Sequence, residues 1–130
     1  MALVHLVIGL ALAEFLYFLN AVGRARGRFK VPAPATSGHE VFERYFRVQM
    51  NTLEQLVIFV PAMLLFAAYV NAYVAAALGV LFIVGRALYF RDYVRAPARR
   101  EVGFALSVIP NTLLLAGGLI GALIALVRPG

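Results

Sequence analysis

A chain of 130 residues that is 63% hydrophobic and only 14% charged carries more apolar surface than a soluble domain of its size can bury. Small domains hide only about 60–70% of what the unfolded chain exposes, so lipid must cover the rest. The formal charge of +6 comes from twelve basic residues, eleven of them arginine. Cysteine is absent and the only histidines are His5 and His39, which excludes disulfides, thiolate chemistry on the chain and a histidine–cysteine metal site.

The first apolar segment, about residues 2–22, is long enough to cross roughly 30 Å of hydrocarbon. Ala11-Leu12-Ala13 resembles a signal-peptide cleavage site. No basic region precedes it, however, and apolar sequence resumes at Phe15-Leu16-Tyr17-Phe18-Leu19, so the segment reads as a permanent helix. A basic loop follows with Arg24, Arg26, Arg28 and Lys30, through which Pro32, Pro34 and Gly38 forbid a continuous helix. Thr36 or Ser37 is the expected cap of a second helix that starts near Glu40 and covers about residues 40–70. The cleanly apolar part of that helix, Leu56 to Val70, has 15 residues and is too short to span. It must therefore carry Gln49, Asn51 and Glu54 into the membrane zone, where polar groups are costly unless they face the bundle interior or a cavity. Pro61 is expected to kink it.

Only Asn71 separates this segment from a third helix at about residues 72–90. A second basic connection, Arg91 to Arg100, leads into a fourth helix at about residues 102–127, which Pro110 and Asn111 are expected to interrupt. The sequence thus predicts an all-α membrane protein, a single four-transmembrane-helix bundle over residues 1–130. The connections after helices one and three hold four Lys/Arg each, against Arg128 alone on the other face. The positive-inside rule then puts both basic loops in the cytoplasm and the N and C termini on the non-cytoplasmic side.

At about 100° per residue, Arg44, Arg47, Asn51, Glu54 and Gln55 fall in one sector of helix two, with Glu43 beside it. On helix three, Arg86, Tyr89 and Tyr93 share a face at the same level. Both faces can line one pocket. Such groups can simply bond one another and pin helices, but interhelical hydrogen bonds in membranes contribute only about 0.6 kcal/mol each. Five aligned polar residues are better explained by a polar ligand. Glu14, in mid-helix, is either a proton or cation site or a neutral or arginine-paired structural residue. The first of these would suit a small proton-coupled multidrug transporter, although the strong charge bias and the helix-two stripe do not. Gly117 and Gly121 have a spacing that allows close helix approach.

The run Phe42-Glu43-Arg44-Tyr45-Phe46-Arg47-Val48-Gln49-Met50-Asn51-Thr52-Leu53-Glu54-Gln55 closely resembles the helix-two signature of the MAPEG superfamily, the membrane-associated proteins in eicosanoid and glutathione metabolism. The stretch from Arg24 to Gly38 resembles that family's first cytoplasmic loop, and Arg86 to Arg95 the end of its third helix. The resemblance implies a homotrimer with glutathione sites between neighbouring subunits. It assigns glutathione binding to Arg26, Arg47, Gln49, Asn51, Glu54, Tyr89 and Tyr93, and thiolate activation to Arg100, with Arg99 adjacent as the other candidate. Gln55 departs from the pattern, because the leukotriene C4 synthase-like members have tyrosine there.

What this implies is a membrane-bound glutathione transferase of microsomal type, with peroxidase activity toward lipid hydroperoxides as a companion reaction. Its partners would be glutathione as co-substrate, a lipophilic electrophile and membrane lipids, with no metal and no nucleic acid. The alternative within the same family is a non-catalytic lipid-binding or scaffold member. The alanine and arginine bias points to a bacterial inner membrane.

Overall fold

The computed structural model describes residues 1–128. Among them are four long helices, each long and apolar enough to cross a membrane: α1 (Ala2–Phe29), α2 (Glu40–Tyr69), α3 (Ala72–Arg95) and α4 (Glu101–Val127). A short 3-10 turn, Pro97–Arg99, precedes α4. The protein is therefore an all-α integral membrane protein. Successive helices alternate in direction, so the C-terminal ends of α1 and α3 and the N-terminal ends of α2 and α4 meet at one basic end. α2 and α3 form the centre, with α1 against one side of the pair and α4 against the other.

The helices run further into the basic connections than hydropathy suggests. α1 continues past Val22 to Phe29, so Arg24, Arg26 and Arg28 are helical rather than part of a loop. Arginine is a good helix former, and cations in a last turn complement the helix dipole. The chain turns only at Lys30, which adopts the left-handed conformation (φ 57°). α3 likewise passes Phe90 and ends at Arg95, because Ala96 precedes Pro97 and is held in extended backbone. Neither Thr36 nor Ser37 caps α2. His39 does so, its Nδ1 accepting from the Val41 N–H at 3.1 Å, while the Glu43 carboxylate accepts from the Gly38 N–H at 3.2 Å. Asn71 caps α3 by accepting from the N–H groups of Tyr73 (2.8 Å) and Val74 (3.0 Å), which makes the tight α2–α3 turn possible.

Pro110 does not interrupt α4 as the sequence suggested; the helix runs through it and through Asn111. Proline lacks the N–H that would bond the Leu106 carbonyl four residues back. That carbonyl lies where α3 passes closest, since a Cβ on Gly85 would stand 2.9 Å from Leu106 O and 2.7 Å from its carbonyl carbon. A Cβ on Gly103 would collide with the Tyr89 backbone nitrogen and stand 2.6 Å from Tyr89 Cα. The two glycines let α3 and α4 cross backbone to backbone. Gly117 and Gly121 serve the protomer's own packing: a Cβ at the first would meet the Phe66 ring at 2.5 Å, and at the second Tyr69 O at 3.0 Å.

The main apolar core lies toward the end away from the basic residues, where Val4 and Val7 of α1 meet Phe59, Met63 and Phe66 of α2, Phe82 of α3 and Leu114 of α4. Phe59 and Phe82 stack at its centre with ring centroids 4.1 Å apart. Beyond it, many large apolar side chains stay exposed on the helix faces, among them Leu119, Ile120 and Leu123 of α4. These are the surfaces that lipid or another subunit would cover.

The α3–α4 crossing yields a direct test. Gly103→Ala should lower the stability of the detergent-solubilised protein by about 1–3 kcal/mol, the usual cost of overpacking, because only backbone stands in the way. Thermal unfolding followed by circular dichroism would read this. An unchanged melting curve would mean that the helices do not cross at Gly103.

Candidate functional site

At the basic end, α2, α3 and α4 enclose a cavity of about 500 Å³. It is lined by Arg47 and Asn51 from α2, Tyr89 and Tyr93 from α3, and Arg100, Glu101 and Phe104 around the start of α4. Small-molecule sites run from roughly 300 to 1,000 Å³. On α2 and α3 the wall is a pair of residues one helical turn apart, so each of these helices presents two side chains to the same space. The Tyr89 and Tyr93 rings stack at 5.4 Å, and Phe104 packs against Tyr89 at 6.3 Å. Arg100 sits where the 3-10 turn passes into α4, and its Nη1 donates to Pro97 O at 3.0 Å. A guanidinium has five donors, so most remain for a ligand. Arg100, and not its neighbour Arg99, lines the cavity.

Behind this wall lies Arg86, fully buried. Its Nη2 donates to Asn51 Oδ1 at 2.8 Å and to Thr52 Oγ1 at 2.9 Å, and its guanidinium carbon stands 4.3 Å from the centroid of the Tyr89 ring. Binding the Asn51 oxygen leaves the amide NH₂ as the group that Asn51 can offer to a ligand. Arg86 thereby holds two of the cavity's side chains without touching the space itself. It shares a helix face with Tyr89 and Tyr93, as the sequence suggested, but stands behind the pocket instead of lining it.

The helix-two stripe divides among different tasks. Arg44 turns to the end of α3, donating to Val94 O (3.1 Å) and Arg95 O (3.3 Å), and its Nη2 meets Glu40 at 2.7 Å. Gln55 contacts α4, where Asn111 Nδ2 donates to Gln55 O (3.1 Å) and Gln55 Oε1 (3.0 Å). Glu54 is exposed beside Gln55 and does not line this cavity. Gln49 lies about 200° around α2 from Arg47, with its amide 3.9 Å from Met50 Sδ. Arg26 is also away from the cavity: its Nη1 donates to Ala35 O at 2.6 Å and its guanidinium lies over the Phe42 ring, 4.9 Å from the centroid. The structure thus gathers Arg47, Asn51, Tyr89, Tyr93 and Arg100 and leaves Arg26, Gln49 and Glu54 apart. Sequence reasoning missed Glu101 and Phe104, although Phe104 follows Arg100 by one helical turn and Glu101 precedes Phe104 by three residues.

Next along the α2–α4 groove is an apolar cavity of about 280 Å³. Ile58, Val108, Leu115 and Leu119 supply most of its wall, and Gln55, Asn111 and Thr112 its polar edge. Its lining continues the same two faces, Arg47–Asn51–Gln55–Ile58 on α2 and Phe104–Val108–Thr112–Leu115 on α4. Glu14, on α1, has one carboxylate oxygen buried without a hydrogen-bond partner among the described residues, as are Nε and Nη1 of Arg86. No hydrogen bond or ion pair joins Glu14 to Arg86 among the described residues. Among the described residues no cluster of His, Asp or Glu could hold a metal ion.

Comparison with known proteins shows the family. The model of the MAPEG family matches residues 4–120. An uncharacterized protein of Synechocystis sp. is 45% identical over 118 residues, covering 91% of this chain and 86% of its own. Human microsomal glutathione S-transferase 2 is 41% identical over 105 residues, 81% of this chain and 71% of its own. Mouse leukotriene C4 synthase is 32% identical over 108 residues, covering 83% and 72%.

The buried arginine can be tested without any substrate. Arg86→Met leaves Asn51 and Thr52 without their donor and Glu14 without its countercharge, and should cost about 3–5 kcal/mol. Adding Glu14→Gln should recover part of that loss, giving a coupling of at least about 1 kcal/mol in a double-mutant cycle of unfolding free energies. Strict additivity would show that the two charges are not coupled.

Proposed function

Since this chain belongs to the MAPEG family, we propose that it is a membrane glutathione transferase that adds the glutathione thiolate to lipophilic electrophiles. The observation that carries the reading is the succession of two cavities along α2 and α4, polar and arginine-lined at the basic end and apolar further in. Two substrates of opposite solubility can meet only where such surfaces adjoin.

The donor set suits glutathione, which carries two carboxylates, an ammonium and a thiol. Arg47 offers a planar fork to one carboxylate, and the Asn51 amide, fixed by Arg86, donates alongside it. Glu101, the one acid in the lining, can accept from the ammonium. Tyr93 and Tyr89 supply a flat wall and hydroxyl donors. A free thiol titrates near 8.5, so at neutral pH only a small fraction is thiolate. The guanidinium of Arg100 stabilises that anion and raises its share. The sulfur then gives its electron pair to the electrophilic carbon, forming the C–S bond, and the electrophile's leaving group departs with the pair from the bond that breaks. Ile58, Val108 and Leu115 hold the electrophile's apolar body and keep water from it. Reduction of lipid hydroperoxides would begin from the same thiolate.

Arg26 and Gln49 do not reach the cavity of their own protomer, so they can serve a bound tripeptide only from a neighbouring copy. This supports a homotrimer with sites between subunits, the assembly that the family resemblance implies. We assign the basic end to the cytoplasm, where glutathione is found, and the protein to a bacterial inner membrane.

In calorimetry on the detergent-purified protein, glutathione should bind saturably, and Arg47→Ala should weaken binding by roughly tenfold or more, the cost of losing one partner of a charged pair. Arg100→Ala should retain binding and the oligomer but lose conjugation of 1-chloro-2,4-dinitrobenzene by about a hundredfold or more. Absence of glutathione binding to the folded wild type would remove the proposal. Binding without turnover of any electrophile or hydroperoxide would leave the non-catalytic family role in its place.

A further inference from the structure

A second cleft opens at the basic end, on another flank of α3. It measures about 340 Å³, and its walls include Tyr17, Arg24, Arg28 and Phe29 of α1, Tyr45 of α2 and Phe90 of α3. Nothing in the glutathione chemistry uses these residues. Arg24 and Arg28 stand one helical turn apart, both exposed, and no acidic side chain lines the cleft. The nearby acids are engaged elsewhere, Glu40 with Arg44 and Asp92 with Arg91. Each guanidinium is steadied over an aromatic ring: Arg24 lies 5.6 Å from the Tyr17 centroid and Arg28 5.1 Å from that of Phe29. The floor is rigid. Phe90 meets Tyr17 and Tyr45 edge-on at 5.9 and 5.7 Å and stacks on Phe18 at 4.9 Å.

The depth of the cleft indicates what would fill it. α1 has 28 residues, about 42 Å at 1.5 Å per residue, against roughly 30 Å of hydrocarbon. Its last turns therefore reach headgroup level. Arg24 and Arg28 belong to those turns. The same helical stripe continues toward the other end through Ala13, Leu10, Leu6 and Leu3, all exposed. One face of α1 thus has two guanidinium groups without a hydrogen-bond partner among the described residues at phosphate level and, past Asn20, an exposed apolar track.

We propose that this cleft is a binding site for an anionic phospholipid, with the lipid phosphate held by Arg24 and Arg28 over the aromatic floor and an acyl chain lying along the exposed stripe of α1. Paired guanidinium forks match phosphate oxygens in geometry as well as charge, and the aromatic belt is suited to the interface that a glycerol backbone occupies. The site is separate from the Arg47–Arg100 cavity and does not depend on its function.

The test uses the detergent-purified full-length protein and native mass spectrometry against phosphatidylglycerol and phosphatidylcholine of matched chains. Wild type should bind phosphatidylglycerol with clear preference. At about fivefold per arginine at headgroup level, Arg24→Gln/Arg28→Gln should weaken that binding by about thirtyfold, while the melting temperature without lipid and glutathione binding stay unchanged. Arg91→Gln/Arg95→Gln removes the same charge outside the cleft and should leave the preference in place. Equal loss from the two double variants would overturn the proposal in favour of diffuse attraction. Equal affinity of wild type for the two lipids would overturn it without any variant. Competition by millimolar inorganic phosphate as effective as phosphatidylglycerol would reassign the cleft to a soluble anion.

Discussion

Arg86 is fully buried among helices whose outer faces are apolar, and a charge in that position persists only if neighbouring groups supply what water would. They come from two helices. Asn51 and Thr52 of α2 accept from one nitrogen, and Tyr89 offers its ring face from α3 itself. These contacts fix α2 and α3 at a common depth and rotation. α4 joins the arrangement through backbone contact, since Gly103 lies directly against Tyr89 and Gly85 against Leu106. The cavity is the space left over when these demands are met, and this is why its walls come from three helices with no loop required.

The sequence displayed the parts of this arrangement that depend on periodicity and on membrane thickness. Four spans, a polar stripe on the second and a matching face on the third can all be read from residue spacing, because helical geometry and about 30 Å of hydrocarbon leave few alternatives. Arg47, Asn51, Tyr89 and Tyr93 do line a common pocket. Spacing does not show which polar residue answers to which. Arg44 and Gln55 share the stripe, yet one caps the carbonyls at the end of α3 and the other takes the Asn111 amide. Those partners lie about fifty residues away in sequence, and no local signal marks them. The extent of α1 was equally hidden: hydropathy ends at Val22, whereas the backbone stays helical to Phe29. The hydrophobic span is a property of lipid, and the helix ends only where the backbone must turn.

The order of polarity along the α2–α4 groove has a physical consequence for any reaction there. Near the basic end, Arg47, Arg100 and Glu101 make a surface that a charged peptide can enter from water. Roughly two to four turns further, Ile58, Val108 and Leu115 make one that a lipid-soluble molecule can enter from the bilayer. Between them the polar side chains are those of Gln55, Asn111 and Thr112, so a thiolate held at the first surface would face a region where few groups could solvate it. An anion poorly solvated on one side is a better nucleophile toward that side. The gradient can therefore orient the substrates and also promote their reaction.

Tyr89 and Phe90 connect the two clefts at the basic end. As adjacent residues on α3 they point about 100° apart, Tyr89 into the arginine-lined cavity and Phe90 into the cleft beside α1. Each is pinned by contacts on its own side, Tyr89 by Arg86 and Tyr93, Phe90 by Phe18, Tyr17 and Tyr45. Rotation of α3 about its axis would disturb both sets together. Packing that holds Arg24 and Arg28 over their aromatic floor thus also holds the tyrosine wall of the cavity. The concentration of arginine at one end of this small bundle therefore lines two separate clefts, kept in register by a single helix.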